Sequence, residues 1–227
     1  MIFQRLSVFL LIVICANFAF AQSKSKPSDM FKQLETELQS PNEQRTASGA
    51  PGNKYWQNRC DYVIDVELDD VNQRLTGKET LTYKNLSPDS LTYIWLQLDN
   101  NIYAKDSVAE RTKTAPELKN VPLRTIEDLA AREFDGRNSI SNVKDASGKA
   151  LKYVINDTMM RVDLPTPLAS GGTFVFSLDW KNDINDARRY NGRGGWEYFE
   201  KDGNYIYEIA HWFPRAVAYT DYTGWQH

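Results

Sequence analysis

The chain has 227 residues, 41% of them hydrophobic and 25% charged, with a formal net charge of −3. That length and balance fit one good-sized globular domain, or one and a half. The mildly acidic charge excludes a nucleic-acid binder, which needs a clustered basic surface.

The N-terminus reads as a targeting segment. Met1 to Arg5 is a short basic start, Leu6 to Ala16 is an apolar run, and Ala19-Phe20-Ala21 supplies a small-x-small cleavage signal. The apolar run is shorter than the roughly 20 residues that a membrane span takes. Residues 1–21 are expected to be a signal peptide cleaved before Gln22, the alternative being an uncleaved anchor. The protein is therefore expected to be exported and to be periplasmic, envelope-bound or secreted. Cleavage removes Cys15 and leaves Cys60 as a single thiol, so stability must come from packing rather than from an intrachain disulfide. Cys60 is expected to act as a small buried hydrophobe.

Residues 22–54 form a polar linker with Ser, Lys, Pro and Gly, in which Ser28 caps a short helix carrying Phe31, Leu34 and Leu38. From Tyr62 the pattern changes to period 2. Tyr62, Ile64, Val66 and Leu68 alternate with Val63, Asp65 and Glu67, and Asp69 to Gln73 is a polar turn. Leu75 to Tyr83 returns with Leu75, Gly77, Leu81 and Tyr83 on one side, and Leu91 to Leu98 follows after an Asn-Leu-Ser-Pro-Asp-Ser turn. Three strands with short polar turns predict an antiparallel meander. Residues from about 100 to 139 interrupt it with charge, Pro116 and Pro122, and Thr125-x-x-Asp128 reads as the cap of a short helix. This is a long, partly helical insert. Strands resume at Ile140 to Val143, Leu151 to Ile155, Met159 to Leu164 and Thr173 to Lys181, with a hairpin turn at Asn156-Asp157. The expected fold is mainly β, an antiparallel sandwich or saddle-shaped domain over residues 55–227.

Asn182 to Gly203 reads as a surface loop in which Arg188, Arg189 and Arg193 sit among glycines and aromatics. Asn204 onward is a strand, with Tyr205, Tyr207 and Ile209 on one face and Ile206, Glu208 and Ala210 on the other. Trp212-Phe213-Pro214 breaks it, since proline has no N–H for a ladder. Tyr219, Tyr222 and Trp225 follow, and the aromatic turn is expected to be an uncovered apolar patch. The chain stops at His227 without a cap or charged tail, which reads as a cut before a further domain.

The residues that could do chemistry are few. His211 and His227 are the histidines, and neither lies in an H-E-x-x-H. Glu208-x-x-His211 imitates a metal pair, but on an extended strand residues three apart face opposite ways. No G-x-S-x-G, Cys–His pair, P-loop or dinucleotide fingerprint occurs. By itself this chain is expected to hold no metal, to need no cofactor and to carry no catalytic residue.

Tyr207-Glu208, Trp212-Phe213-Pro214-Arg215, Tyr219, Asp221 and Gly224-Trp225 together resemble the end of the N-terminal β domain of the aminopeptidase N-like zinc metallopeptidases, the gluzincin aminopeptidases. The form is similar to a bacterial exported branch with a WFP…Y-x-D-x-x-GW motif. Lys54-Tyr55-Trp56-Gln57, Tyr62 to Asp69 and Leu75 to Thr80 resemble the opening strands of the same domain. Arg215 stands where the better-known pattern has a cysteine and then Asp-Glu-Pro. The resemblance implies a substrate-cleft and scaffold domain whose partner is its own C-terminal catalytic domain, absent from this chain. In the full-length parent, zinc would activate a water to release N-terminal residues from peptide substrates. It further implies that Glu208 reaches the pocket for the substrate's first residue, and that Trp212, Phe213, Pro214, Tyr219 and Trp225 pack at the domain interface. The alternative from another class is a non-catalytic envelope β-sandwich module that binds glycan or protein through its Trp and Tyr.

Overall fold

The computed structural model describes residues 41–114, 121–123, 125–126, 134–188 and 194–226. The chain divides into two compact units, Met1–Asn53 and Lys54–His227. In the first, Asn42 Oδ1 accepts from the N–H groups of Gln44 and Arg45, and Arg45 forms an isolated bridge with Pro51. The signal peptide and the helix expected after Ser28 lie outside the described residues.

The second unit is an antiparallel β sandwich. One sheet has the order β1 (Arg59–Asp69), β2 (Arg74–Lys84), β7 (Thr173–Asp183), β4 (Ser139–Asp145). The other has the order β10 (Arg215–Ala216), β3 (Leu91–Gln97), β6 (Met159–Leu168), β5 (Tyr153–Asn156). A hairpin of β8 (Gly194–Phe199) and β9 (Asn204–Ile209) and a short pair of β11 (Tyr219–Thr220) and β12 (Gly224–Trp225) complete it.

The core follows from period 2. On the inward face of β2, Leu75, Leu81 and Tyr83 are buried, and Phe176, Leu178 and Trp180 are their counterparts on β7. Ile94, Leu96, Met160 and Val162 meet them from the second sheet in one cluster. On β1 the inward register is Cys60, Tyr62 and Ile64, whereas Val66 and Leu68 run past the core and are exposed.

The expected meander is corrected at β3. β1 and β2 do pair as a hairpin, with Asp69 Oδ1 accepting from Val71 and Asn72 N–H and Gln73 at φ 55°. β2 then takes β7 as its other neighbour, and β3 crosses to the opposite sheet. The turn between them explains the crossing. Asn85 is buried, and its Nδ2 donates to the carbonyls of Asp89 and Leu168, so the turn is tied to β6 and not folded back on β2.

Two further differences have local causes. β6 extends to Leu168 through Pro165 and Pro167 because the register against β3 shifts between Leu91 and Tyr93, so the prolines fall where no ladder bond is needed. The expected loop 182–203 contains β8, which pairs with β9 from Gly194↔Ile209 to Phe199↔Asn204. The turn at Asn156-Asp157 is found, with Asp157 at φ 51°. The start of the insert is a 3₁₀ turn, Asp99–Tyr103, and a one-turn helix α1 (Val108–Arg111) whose cap Ser107 accepts from Glu110 N–H. The cap pair Thr125 and Asp128 lies partly outside the described residues.

Gly77 is required by packing. A Cβ there would sit 2.3 Å from Cζ2 of the buried Trp180 ring, which lies over β2 at this point. Gly77→Ala is expected to cost about 1–3 kcal/mol through overpacking, read as a lower denaturation midpoint.

Candidate functional site

Glu208 is placed by two glycines. Gly195 opposes Glu208 across the β8–β9 pair, and Gly194 approaches so closely that a Cβ would lie 2.2 Å from the Glu208 carbonyl oxygen. Gly194 and Gly195 have φ of 110° and 145°, open to glycine and strained for other residues. The Glu208 side chain is exposed and lines a small cleft. The other walls are Asn100 and Tyr103 of the 3₁₀ turn and Asn182 and Asn185 at and beyond the end of β7. Asn185 Nδ2 donates to the Gly194 carbonyl at 2.9 Å, fixing the wall. Asn182 Oδ1 is buried without a hydrogen-bond partner. The cleft measures about 20 Å³, room for about one water.

Beyond β9 the strand stops at His211, an exposed residue at φ 55°. The aromatic turn then packs back on the sandwich. Trp212 meets Trp180 with ring centroids 5.7 Å apart, Phe213 meets Tyr62 edge-on at 5.4 Å, and Pro214 is fully buried. Arg215 is held by Asp99, with Nε–Oδ2 at 2.9 Å and Nη2–Oδ1 at 3.3 Å. Ala216 N–H donates to the Tyr62 hydroxyl at 2.7 Å, so β10 sits on the edge of one sheet while bonded to the other. Tyr219 donates to Asp89, and Trp225 packs against Tyr219, Tyr83 and Tyr93. The expectation that this turn is uncovered is corrected. Trp212, Phe213, Tyr219 and Trp225 are half-buried against the chain's own core, because β10 extends the second sheet beside β3. Tyr222 stays exposed.

Arg188 donates to the Tyr198 carbonyl, which holds it to its own hairpin, whereas Arg189, Arg193 and His227 lie outside the described residues. Among the described residues no three His, Cys, Asp or Glu side chains gather as metal ligands, so they do not fit a zinc site. Cys60 is half-buried and its thiol is pushed up to about 11, chiefly by burial. That keeps it protonated and poorly nucleophilic at neutral pH. Burial also raises the Tyr62 phenol well above its usual range, and the bond with Cys60 adds to this.

Sequence reading passed over Glu79. It falls on the inward face of β2 between Gly77 and Leu81, is 2% exposed, and neither carboxyl oxygen has a partner. Burial pushes it up to about 8, so it is largely protonated at neutral pH. The available signal was an acid in the register of Leu75, Gly77, Leu81 and Tyr83.

No family model and no curated protein matches the chain. Solved structures similar to it in part include an M1 zinc metallopeptidase from Deinococcus radiodurans. A mutant of it bound to a Tyr-Ser-Ala substrate is 18% identical, with 65% of this chain and 26% of that chain covered and a TM-score of 0.37. The same metallopeptidase without the mutation is 19% identical, with coverages of 61% and 24% and a TM-score of 0.36. A mutant two-domain M1 zinc metallopeptidase bound to L-tryptophan is 16% identical, with coverages of 75% and 28% and a TM-score of 0.36. The aligned part therefore spans about a quarter of each of those chains.

Proposed function

We propose that this chain is the N-terminal β domain of an exported zinc aminopeptidase, a scaffold that presents Glu208 to the first residue of a peptide substrate. The observation that carries this is Glu208 itself: an exposed carboxylate at the lip of a polar cleft, on a strand followed by the Trp212-Phe213-Pro214 turn. A carboxylate there accepts hydrogen bonds from a protonated α-amine and holds the peptide by its N-terminus. The Asn185–Gly194 bond keeps the wall beneath it rigid. Zinc and its ligands belong, in this reading, to a catalytic domain that follows, as do the water-activating steps. The half-buried rings of Trp212, Phe213, Tyr219 and Trp225 would face that domain with the edges that the sandwich core leaves open.

The first test is the coding sequence beyond His227. An H-E-x-x-H followed by a glutamate about twenty residues on supports the peptidase. A stop codon or a second β repeat supports the rival binding module. In the extended protein, Glu208→Ala is expected to lower kcat/KM on aminoacyl substrates by about 10- to 100-fold, the size of a hydrogen bond to a charged group, with zinc content unchanged. Unchanged kcat/KM would remove Glu208 from the substrate site.

A further inference from the structure

Among the described residues every sheet edge but one is guarded. β1 carries Asp61, Asp65 and Glu67, all exposed, and β4 is broken by a register shift between Ser141 and Lys144. β5 has four residues, and β10, β11 and β12 have two each. Charge, bulges and shortness are the usual means by which an edge avoids pairing. The outer side of β8 is covered, since Trp196 N–H donates to the Asn185 carbonyl and Ala187 N–H donates to the Trp196 carbonyl. β9 has none of these devices. It runs six residues in unbroken register with β8, and Glu208 is its only charge. Tyr205 and Ile206 are 41% and 56% exposed, and among the described residues the far side of β9 pairs with no strand.

The Trp196 bonds also fix which groups β9 offers. In an antiparallel pair, opposed residues alternate between those that bond each other and those that turn their N–H and C=O outward. Trp196 turns outward, so its partner Tyr207 does too, and by the same alternation so does Tyr205. Ile206 and Glu208 turn inward, to Glu197 and Gly195. The free edge therefore presents the N–H and C=O of Tyr205 and Tyr207, at the spacing with which an added antiparallel strand exchanges pairs of bonds. It ends just past Glu208, where His211 at φ 55° turns the chain away.

We propose that β9 takes a peptide as an added antiparallel strand, with the peptide's N-terminus beside Glu208. This deepens the reading of Glu208 as the holder of a peptide amine and rests on it. The direction follows from charge. The one carboxylate of β9 lies at the C-terminal end of the strand, and only an antiparallel guest has its ammonium there while its chain still runs along Tyr207 to Asn204. The first residue of the peptide opposes Glu208, with Cβ atoms about 5 Å apart, within reach of a carboxylate–ammonium bond. Its second and fourth residues exchange bonds with Tyr207 and Tyr205, and its third lies beside Ile206. The ligand is thus an extended peptide with a free amine, held by its backbone and largely indifferent to its side chains.

The test uses the full chain and the peptide Leu-Ala-Val-Tyr-Ser amide, titrated by NMR. Its N-acetyl form and forms N-methylated at the second, third or fourth residue are the comparisons. The parent peptide is expected to bind saturably and about tenfold tighter than the N-acetyl form, the size of a bond to a charged group. Methylation of the second or the fourth residue should weaken binding by about tenfold or more, because it removes a donor and drives a methyl into β9. Methylation of the third, which faces away, should be tolerated. The amides of Tyr205 and Tyr207 should gain protection from exchange, and those of Ile206 and Glu208, already turned to β8, should not. A flat methylation series with the amine preference kept overturns the added strand and leaves the Glu208 reading standing. An alternating series without amine preference overturns the Glu208 reading and this register with it. Absence of saturable binding at millimolar peptide overturns the proposal.

Discussion

Raising the pH from about 4.5 to about 8 is expected to remove roughly 3–5 kcal/mol of stability through one residue, Glu79. In the folded chain its carboxyl keeps its proton up to about 8, because the site is buried and no donor reaches either oxygen. In the unfolded chain it ionises near its ordinary value of 4.5. Across that window the native state binds more protons than the unfolded one. The contribution is therefore complete below 4.5, falls as pH rises, and levels off above the folded value. Asp69 and Asp145 act in the opposite sense. Both are held below their usual 3.8 by hydrogen bonds, from Asn72 and Ser147 first, so their contributions are lost only as pH falls through more acid values. Glu79→Gln keeps the shape and cannot ionise. It should flatten the denaturant midpoint between pH 5 and 8 and exceed the parent at pH 8, these two pH values being roughly the limits of the window. A parent chain with a flat profile across this range would show that Glu79 meets water or a donor in solution.

Trp180→Ala is expected to cost about 3–5 kcal/mol, the usual penalty for emptying a buried tryptophan site. The ring is 1% exposed, covers Gly77 of β2 and packs on Trp212. Its removal strikes the core and the turn after Glu208 together. Trp180→Phe should cost much less, because it also deletes the buried indole N–H that has no partner. The two residues should couple. Gly77→Ala, harmful in the parent, should be close to neutral in the Trp180→Ala background, where the added methyl enters the vacated space. Additive penalties in that cycle would show that the ring does not rest on Gly77.

Local pattern made much of the fold legible. β1, β2, β7 and the start of β6 announce themselves by alternation, and Asn156-Asp157 marks its turn. The assignment of strands to sheets was not legible, because β2 pairs with β7 and β3 with β6 across long stretches of chain. β8 was hidden by Gly194-Gly195, which look like loop residues in sequence yet serve the close approach of β9. Trp196 and Tyr198 alternating before an Asp-Gly turn were the signal that could have found it. Glu208 stood out in the sequence only by its place before the Trp212-Phe213-Pro214 turn, and the structure adds that it is exposed and lines a small cleft. The unpaired Glu79 was not legible, since an acid in a strand is ordinary until burial is known.

The bond from Ala216 N–H to the Tyr62 hydroxyl joins residues 154 positions apart, and Arg215 reaches back 116 positions to Asp99. A ribosome delivers β1 long before the segment that clasps it. Until residue 216 emerges, Tyr62 lacks its bond to Ala216 and β3 has an open edge where β10 belongs. Contacts of such separation slow folding, because the loop must close before any reward is gained. Until that segment arrives the nascent sandwich is unfinished, with its first strands exposed to chaperones or to pairing with neighbouring chains.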